Sequence, residues 1–172
     1  MITFATPDGQ QANAFYIKAA KPTNYTLFVF QEWWGLNDHI KREAEHFYTD
    51  LGNVNVLAID MYDGKVATTR EEAGKYMGGA NPMRLENIIK GAIAFVGPKA
   101  KIATVGWCFG GGLSLKASIL AGTQASACVM YYGMPVKDVE QLKTLNTDVL
   151  GLFAGREKFI SPAVVKEFEE NM

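Results

Sequence analysis

The 172-residue chain has few cysteines, few histidines and no excess of either charge. Its 17 Lys and Arg residues are balanced by 18 Asp and Glu residues, so the formal net charge at pH 7 is −1. Nucleic-acid phosphates attract a basic stripe, and anionic membrane surfaces attract a polybasic segment; the sequence has neither. We therefore expect no nucleic acid and no membrane among its partners.

Long apolar runs are also absent. The longest ones, residues 26–30 and 54–59, have the length of strands and fall far short of the roughly 20 residues that cross a bilayer. The N-terminus lacks the basic region and apolar core of a secretory signal, which predicts a cytoplasmic protein. The two cysteines, Cys108 and Cys128, are expected to be free thiols, since low cysteine usage fits a reducing compartment.

Strand-like and helix-like segments alternate along the chain. A hairpin is predicted over residues 2–16, and helical spacing of apolar residues alternates with short apolar runs after it. The predicted later strands are 26–30, 54–59, 102–106, 125–131 and 149–153, and the predicted helices are 37–51, 68–77, 82–96, 108–121, 139–145 and 162–168. This pattern indicates a single α/β domain over residues 1–172, with a mostly parallel sheet and helices on both faces.

The strongest local signal is a Gly-x-Cys-x-Gly sequence centred on Cys108, between a predicted strand and a predicted helix. A nucleophile elbow has this arrangement, and its glycines allow a tight, strained turn. A thiol at a helix N-terminus is expected to have its thiolate favoured, and the Phe109 N–H would face a developing oxyanion. The structural alternative is that Cys108 is a small buried apolar residue. That alternative is preferred for Cys128, which lies within a predicted strand.

A second signal, Gln31-Glu32-Trp33-Trp34-Gly35, follows the strand at residues 26–30. Ligands of open α/β sheets collect at the carboxyl ends of the strands, so this segment is expected near the elbow. Together the two motifs resemble the dienelactone hydrolase family, whose members are carboxymethylenebutenolidase-like enzymes. The resemblance continues through residues 58–62, 129–133 and 150–160, and it covers essentially the whole chain.

The resemblance implies an α/β-hydrolase fold and a hydrolase that cleaves a carboxylic ester or lactone through a cysteine. By motif position, Cys108 corresponds to the nucleophile, and Glu32 to a glutamate that meets the thiol in the resting enzyme. The amides of Trp33 and Phe109 correspond to the oxyanion hole. Glu157 stands where the family has a triad aspartate, and its side chain is longer by one methylene.

The catalytic histidine of the family has no counterpart, because no histidine follows His46. The resemblance therefore implies a C-terminally truncated domain that lacks the last strand and helix of the fold. His39 and His46 both belong to the predicted helix 37–51. For each of these two histidines, the preferred interpretation is a side chain that is bound to backbone or exposed to solvent, rather than a catalytic one.

Three further residues are predicted to contact substrate: Arg70, Tyr62 and Trp34. The family binds a carboxylated lactone with arginines, and Arg70 lies in the corresponding region, although an exposed surface arginine is the more common case. Trp33, Trp34 and Trp107 are predicted to enclose an apolar pocket, which core packing of aromatic rings explains nearly as well. The acidic residues and cysteines show no metal-ligand spacing, so neither a metal nor a cofactor is expected.

Two classes of function stay open. The first is a hydrolase acting on a small-molecule ester or lactone. The second is a catalytically inactive family member or fragment that binds small ligands without turnover, as Glu157 and the missing histidine suggest. A redox protein is a weaker option, since Cys128 lies 20 positions after Cys108 and on a separate predicted strand.

Overall fold

The computed structural model describes all 172 residues, which form seven strands and six α-helices. The strands are β1 (Ile2–Ala5), β2 (Gln11–Ile17), β3 (Tyr25–Phe30), β4 (Asn55–Ile59), β5 (Lys101–Trp107), β6 (Ala125–Tyr131) and β7 (Val149–Leu152). The helices are α1 (Asp38–Leu51), α2 (Arg70–Gly78), α3 (Pro82–Val96), α4 (Phe109–Ala121), α5 (Val139–Leu142) and α6 (Pro162–Asn171). No helix has the length and hydrophobicity that crossing a membrane requires.

All seven strands belong to one sheet, in the order β1-β2-β4-β3-β5-β6-β7. The hairpin of β1 and β2 is antiparallel and joins β4 in antiparallel fashion, whereas the other neighbouring strands are parallel. The predicted N-terminal hairpin and mostly parallel sheet are thus confirmed. Because β3 to β7 are parallel, the segments that follow them meet at one edge of the sheet.

Strand β3 shows why the sheet carries helices on both faces. Phe28 and Phe30 are fully buried in the cluster under α3 and α4, while Leu27 and Val29 are buried in the cluster under α1. Side chains alternate between the faces of a strand, so a strand covered on both faces reads as a continuous apolar run. The predicted two-sided covering is therefore confirmed.

Capping residues explain most of the helix boundaries. The Asn81 side chain accepts hydrogen bonds from the N–H groups of Met83 and Arg84, and Pro82 takes the first helical position, so α3 begins where the sequence predicts. The predicted helix 139–145 is shorter, because α5 ends at Leu142. The chain then continues through turns closed by bonds between residues three apart.

A buried polar cluster anchors α4 to the sheet. The Ser114 hydroxyl lies 2.8 Å from the Thr104 hydroxyl oxygen and 2.9 Å from the Val129 carbonyl oxygen. Ser118 is also 2.8 Å from the Thr104 hydroxyl, and Cys128 lies beside the cluster. These bonds join α4 to both β5 and β6, and their α4 members, Ser114 and Ser118, lie six and ten residues after Cys108.

We predict that Ser114→Ala lowers the free energy of unfolding by about 1–3 kcal/mol, because it leaves buried partners without a hydrogen bond. The matched control is Ser126→Ala on the exposed part of β6, which should change stability by no more than about 0.5 kcal/mol. Urea unfolding of the two variants measures the difference. Equal stabilities would show that the cluster does not hold α4 in place.

Candidate active site

Cys108 occupies a strained turn between β5 and α4. Its backbone has φ 54° and ψ −119°, a conformation that residues with a side chain rarely adopt. The Cys108 N–H donates to the Tyr131 carbonyl (2.9 Å), and the Gly111 N–H donates to the Cys108 carbonyl (3.0 Å). The backbone on both sides of the cysteine is thereby held, and the predicted strained elbow is present.

Two glycines let the elbow approach neighbouring backbone. A side chain at Gly106 would collide with the carbonyl group of Gly110, and one at Gly110 would collide with the carbonyl oxygens of Phe30 and Gln31. The first turn of α4 therefore lies directly against the carboxyl end of β3. This packing brings Cys108 and Glu32 to the same edge of the sheet.

The environment of the Cys108 thiol raises its pKa. Burial is the largest cause, and the negative charge of Glu32 adds to it, whereas the Phe109 N–H acts in the opposite direction. The helix N-terminus was expected to favour the thiolate, but in this half-buried site desolvation outweighs it. Cys128 is buried in the core, and neither cysteine forms a disulfide.

The predicted oxyanion donors are backbone amides without competing acceptors. The N–H groups of Trp33 and Phe109 donate to no backbone carbonyl in the loops and caps, and the side chain that the Phe109 N–H meets is the Cys108 thiol. The Phe109 N–H is close enough to the thiol to lower its pKa. These donors follow β3 and β5, which are adjacent strands, so they belong to the same end of the sheet as Cys108.

Tyr62 places an unpartnered hydroxyl close to the thiol. The residue is buried, and its hydroxyl has no hydrogen-bond partner. Its ring lies 5.5 Å from that of Phe109 and 6.0 Å from that of Tyr76. Burial raises the pKa of Tyr62 well above its usual range, with a further contribution from Cys108. The Asp60 carboxylate fixes this turn by accepting hydrogen bonds from the N–H groups of Tyr62 and Gly64.

A cavity of about 680 Å³ opens above Cys108 and Phe109. Twelve of its 16 lining residues are hydrophobic, and they come from α2, α3, α4 and the segments after β6 and β7. A cavity of this size and composition suits a small organic ligand. Its polar floor is the cysteine elbow.

The predicted substrate contacts lie elsewhere around the site. Arg70 is exposed at the start of α2, and neither it nor Trp34 lines the cavity. Trp34 packs edge to face against Trp33 (5.4 Å), and Trp107 stacks between Phe47 and Tyr131 on the face of the sheet that α1 covers. The tryptophans thus pack among aromatic rings rather than around the cavity. Tyr62 does not line this cavity either, and contact of Arg70, Tyr62 or Trp34 with substrate stays a prediction.

Glu157 lies in the segment after β7, at the same sheet edge as the elbow. One of its carboxylate oxygens accepts the N–H groups of Lys158 (2.7 Å) and Phe159 (2.8 Å), and these bonds lower its pKa. The two histidines are far less promising, since both lie on α1 beside Glu43. Their side chains are 59% (His39) and 69% (His46) exposed.

Tyr132 and the methionines of the cavity wall were not predicted from the sequence. Tyr132 follows β6 in a positive-φ conformation (42°), and burial together with the charges of Glu32 and Cys108 raises its pKa. Its place after a parallel strand is the signal that could have identified it. Met77, Met83 and Met134 come from separate segments, and no local pattern connects them.

Comparisons with known proteins identify similar sequences and similar folds. A profile described as the dienelactone hydrolase family matches residues 13–172. Protein usf of Aquifex pyrophilus is 28% identical over 158 residues, and the match covers 85% of this chain and 67% of that protein.

Two solved structures show the same fold at low identity. A dienelactone hydrolase-like promiscuous phosphotriesterase from metagenomic libraries has a TM-score of 0.76 at 21% identity, covering 99% of this chain and 76% of the other. A dienelactone hydrolase from Anabaena variabilis has a TM-score of 0.68 at 17% identity, covering 99% and 77%.

Glu32→Gln is predicted to accelerate alkylation of Cys108 by iodoacetamide at about pH 8, by up to about tenfold, because removing a nearby negative charge lowers the pKa of the thiol. The control Glu43→Gln removes a carboxylate on α1 that contacts only His39 and His46. Mass spectrometry of the alkylated protein over a pH series gives the thiol pKa of each variant. A slower reaction in Glu32→Gln would mean that Glu32 assists deprotonation more than its charge opposes it.

Tyr62→Phe is predicted to leave the melting temperature unchanged or to raise it, because the hydroxyl it removes has no partner while the ring packing is kept. Tyr16→Phe is the matched comparison, since the Tyr16 hydroxyl donates to the Asn55 side chain (3.1 Å). That variant should lose about 0.5–1.5 kcal/mol of stability. A clear loss in Tyr62→Phe would show that the buried hydroxyl has a stabilising partner.

Proposed function

Because the chain belongs to the dienelactone hydrolase family, whose fold its solved relatives share, we propose that it hydrolyses carboxylic esters or lactones with Cys108 as the nucleophile. One observation carries the proposal. The cysteine stands on a strained strand-to-helix turn at the floor of an apolar cavity, beside amides that have no other acceptor. A buried core cysteine needs none of these features.

In the proposed reaction, the Cys108 sulfur attacks the ester carbonyl carbon. A carbon–sulfur bond forms, and the carbonyl electron pair moves onto the oxygen, where the N–H groups of Trp33 and Phe109 stabilise it. The oxyanion then collapses, the carbon–oxygen bond of the ester breaks, and the alcohol leaves with a proton. Water finally attacks the thioester, which releases the carboxylic acid and regenerates the thiol.

Glu32 is proposed to hold or relay the proton of the Cys108 thiol in the resting enzyme. The raised pKa of Cys108 favours the protonated thiol, so attack on a substrate needs a nearby acceptor for that proton. Glu32 is the carboxylate whose charge acts on Cys108. Substrate that covers the cavity further excludes water and makes this transfer more dependent on Glu32.

Glu157 is proposed to orient an imidazole that acts as base and then as acid, as in related triads. The carboxylate has a lowered pKa and one oxygen without a hydrogen bond, so it is able to accept an imidazole N–H. The curated and solved relatives are longer than this chain. We accordingly propose that the imidazole belongs to a segment outside residues 1–172, and the intact mass of the purified protein, set against 18.9 kDa, tests this.

The second candidate function is ligand binding without turnover. It is favoured by the raised pKa of Cys108 and by the position of both histidines on the exposed side of α1. In this case the cavity would bind a small ligand without converting it, and the Cys108 thiol would be unreactive. Acylation of the Cys108 thiol distinguishes the two candidate functions, because only the hydrolase is expected to form an acyl-enzyme on this sulfur.

We predict that 4-nitrophenyl acetate adds one acetyl group to Cys108, with a burst of nitrophenolate equal to the protein concentration. In a protein that consists of residues 1–172 alone, slow deacylation should let this thioester accumulate, because both histidines have exposed side chains on α1 and neither lines the cavity. Peptide mapping by mass spectrometry locates the adduct.

Cys108→Ala should abolish both the burst and the adduct. The control Cys128→Ala, in the core under α4, should keep both. If Cys108 takes up neither acetate nor iodoacetamide at about pH 8, ligand binding without turnover becomes the preferred function.

A further inference from the structure

We propose that the Tyr132 hydroxyl donates a proton to the departing alcohol when an ester is cleaved on Cys108. This assignment rests on the proposed function and adds a catalytic residue to it, since it concerns the acylation step of the same cysteine site. It follows from the chemistry of a sulfur nucleophile, from the backbone that holds Tyr132 and from the position of its side chain in the cavity.

A sulfur nucleophile makes the proton of the departing alcohol decisive. The tetrahedral intermediate on Cys108 has two groups that it is able to expel, the sulfur and the ester oxygen. Thiols are much stronger acids than alkanols, so a thiolate leaves more readily than an alkoxide. Without a proton on the ester oxygen, the intermediate therefore returns to substrate. Cleavage of an ordinary ester by a cysteine needs an acid beside the sulfur.

The backbone of Tyr132 is held beside the elbow in an unfavourable conformation. Its φ of 42° makes it, with Asp63 and Cys108, one of three residues other than glycine that have a positive φ. The preceding residue, Tyr131, accepts the Cys108 N–H (2.9 Å), and the Tyr132 N–H donates to the Leu152 carbonyl (2.7 Å). Backbone strain of this kind costs roughly 1–3 kcal/mol and is concentrated at functional sites.

The glycine after Tyr132 brings this loop against the elbow. A side chain at Gly133 would collide with the backbone of Gly111, and one at Gly111 would come too close to the Tyr131 carbonyl oxygen. The loop after β6 thus packs directly on the first turn of α4. In this arrangement Tyr132 lines the same cavity as Cys108.

Packing of the ring does not account for a strained tyrosine at this position. Tyr132 is 45% exposed, and its ring meets that of Tyr131 edge to face with 6.4 Å between the centroids. A half-exposed ring removes little apolar surface from water, so it offsets little of the backbone strain. A role for the hydroxyl at the cavity accounts for both the position and the strain.

The Tyr132 hydroxyl keeps its proton and lies beside the group that is proposed to accept the proton of the thiol. Burial raises the pKa of Tyr132, and the charges of Glu32 and Cys108, together with a hydrogen-bond interaction with Glu32, add to the shift. Tyr132 therefore enters the reaction as an acid. A phenol remains a stronger acid than an alkanol, so its proton passes readily to a developing alkoxide.

The protons of the acylation step balance through Glu32. Its carboxylate takes the proton of the Cys108 thiol as the carbon–sulfur bond forms. Tyr132 gives its own proton to the ester oxygen as the carbon–oxygen bond breaks, and the resulting phenolate recovers a proton from protonated Glu32. The thiol proton is thus replaced on the alcohol, while Glu32 and Tyr132 return to their starting states.

The test varies how strongly the leaving group needs a proton. 4-Nitrophenyl acetate and 2,2,2-trifluoroethyl acetate transfer the same acetyl group, but 4-nitrophenolate departs without a proton, whereas trifluoroethoxide leaves less readily than a thiolate. We expect Tyr132→Phe to slow acylation of Cys108 by the trifluoroethyl ester at least about tenfold, since a positioned general acid contributes roughly 10²–10⁴-fold. The rate with the nitrophenyl ester should stay within about twofold of the wild-type rate, which also shows that the elbow of the variant is intact.

Single-turnover release of each alcohol from the purified protein gives the rates, by absorbance for nitrophenolate and by fluorine NMR for trifluoroethanol. Heavy water should slow the trifluoroethyl ester more than the nitrophenyl ester, and Tyr132→Phe should reduce this difference. The matched control is Tyr25→Phe. Tyr25 is 52% exposed at the start of β3, at the end of the sheet opposite Cys108, so this variant should keep both rates.

Three results would overturn the inference while leaving Cys108 as the nucleophile. Equal slowing of both esters in Tyr132→Phe would mean that the hydroxyl acts on attack or on packing. Wild-type rates with both esters would mean that another acid protonates the alcohol. Acylation of the wild-type protein by the nitrophenyl ester alone would mean that no acid serves the alcohol. Failure of both esters to acylate Cys108 in the wild-type protein overturns the proposed function itself.

Discussion

The close approach of the first turn of α4 to the ends of β3 and β6 is the constraint on which the rest of the site depends. Gly106 and Gly110 permit it, since any side chain at either position would overlap neighbouring backbone. The positive φ of Cys108 follows, because the chain must reverse from strand to helix within this narrow space. The same packing places the sulfur next to the segment that holds Glu32 and Trp33, so the positions of the thiol, of this carboxylate and of the amides assigned to the proposed oxyanion hole depend on one contact.

The chemistry of the thiol reflects competition between burial and the helix N-terminus. Helix dipoles and N–H groups stabilise a thiolate, but they act over a short range and are opposed here by desolvation and by the Glu32 carboxylate. A protonated resting thiol is a poor target for oxidants and stray electrophiles. In the proposed reaction, activation of this thiol depends on a nearby proton acceptor, which is the role assigned to Glu32.

Much of this architecture could be predicted from the sequence, because its signals are local. Apolar periodicity gave the strands and helices to within a few residues, and Asn81 with Pro82 marked the start of α3. The cysteine elbow is likewise a contiguous motif. The cavity is different, since its walls combine α2, α3, α4 and two loops. Neither the methionines nor the pairing of Lys116 with Glu86 has a local signature. The sign of the Cys108 pKa shift also required knowledge of burial, which spacing along the chain does not contain.

In the proposed hydrolase, the groups assigned to the reaction and the residues that line the rest of the cavity come from different parts of the fold. Reactive groups occupy the floor, on rigid backbone at the ends of parallel strands. The walls come from helix side chains and loops, which are free to vary without disturbing the elbow. The Glu86–Lys116–Lys90 network illustrates this division: its one carboxylate and two ammonium groups carry a net positive charge, and all three belong to α3 and α4 rather than to the cysteine elbow.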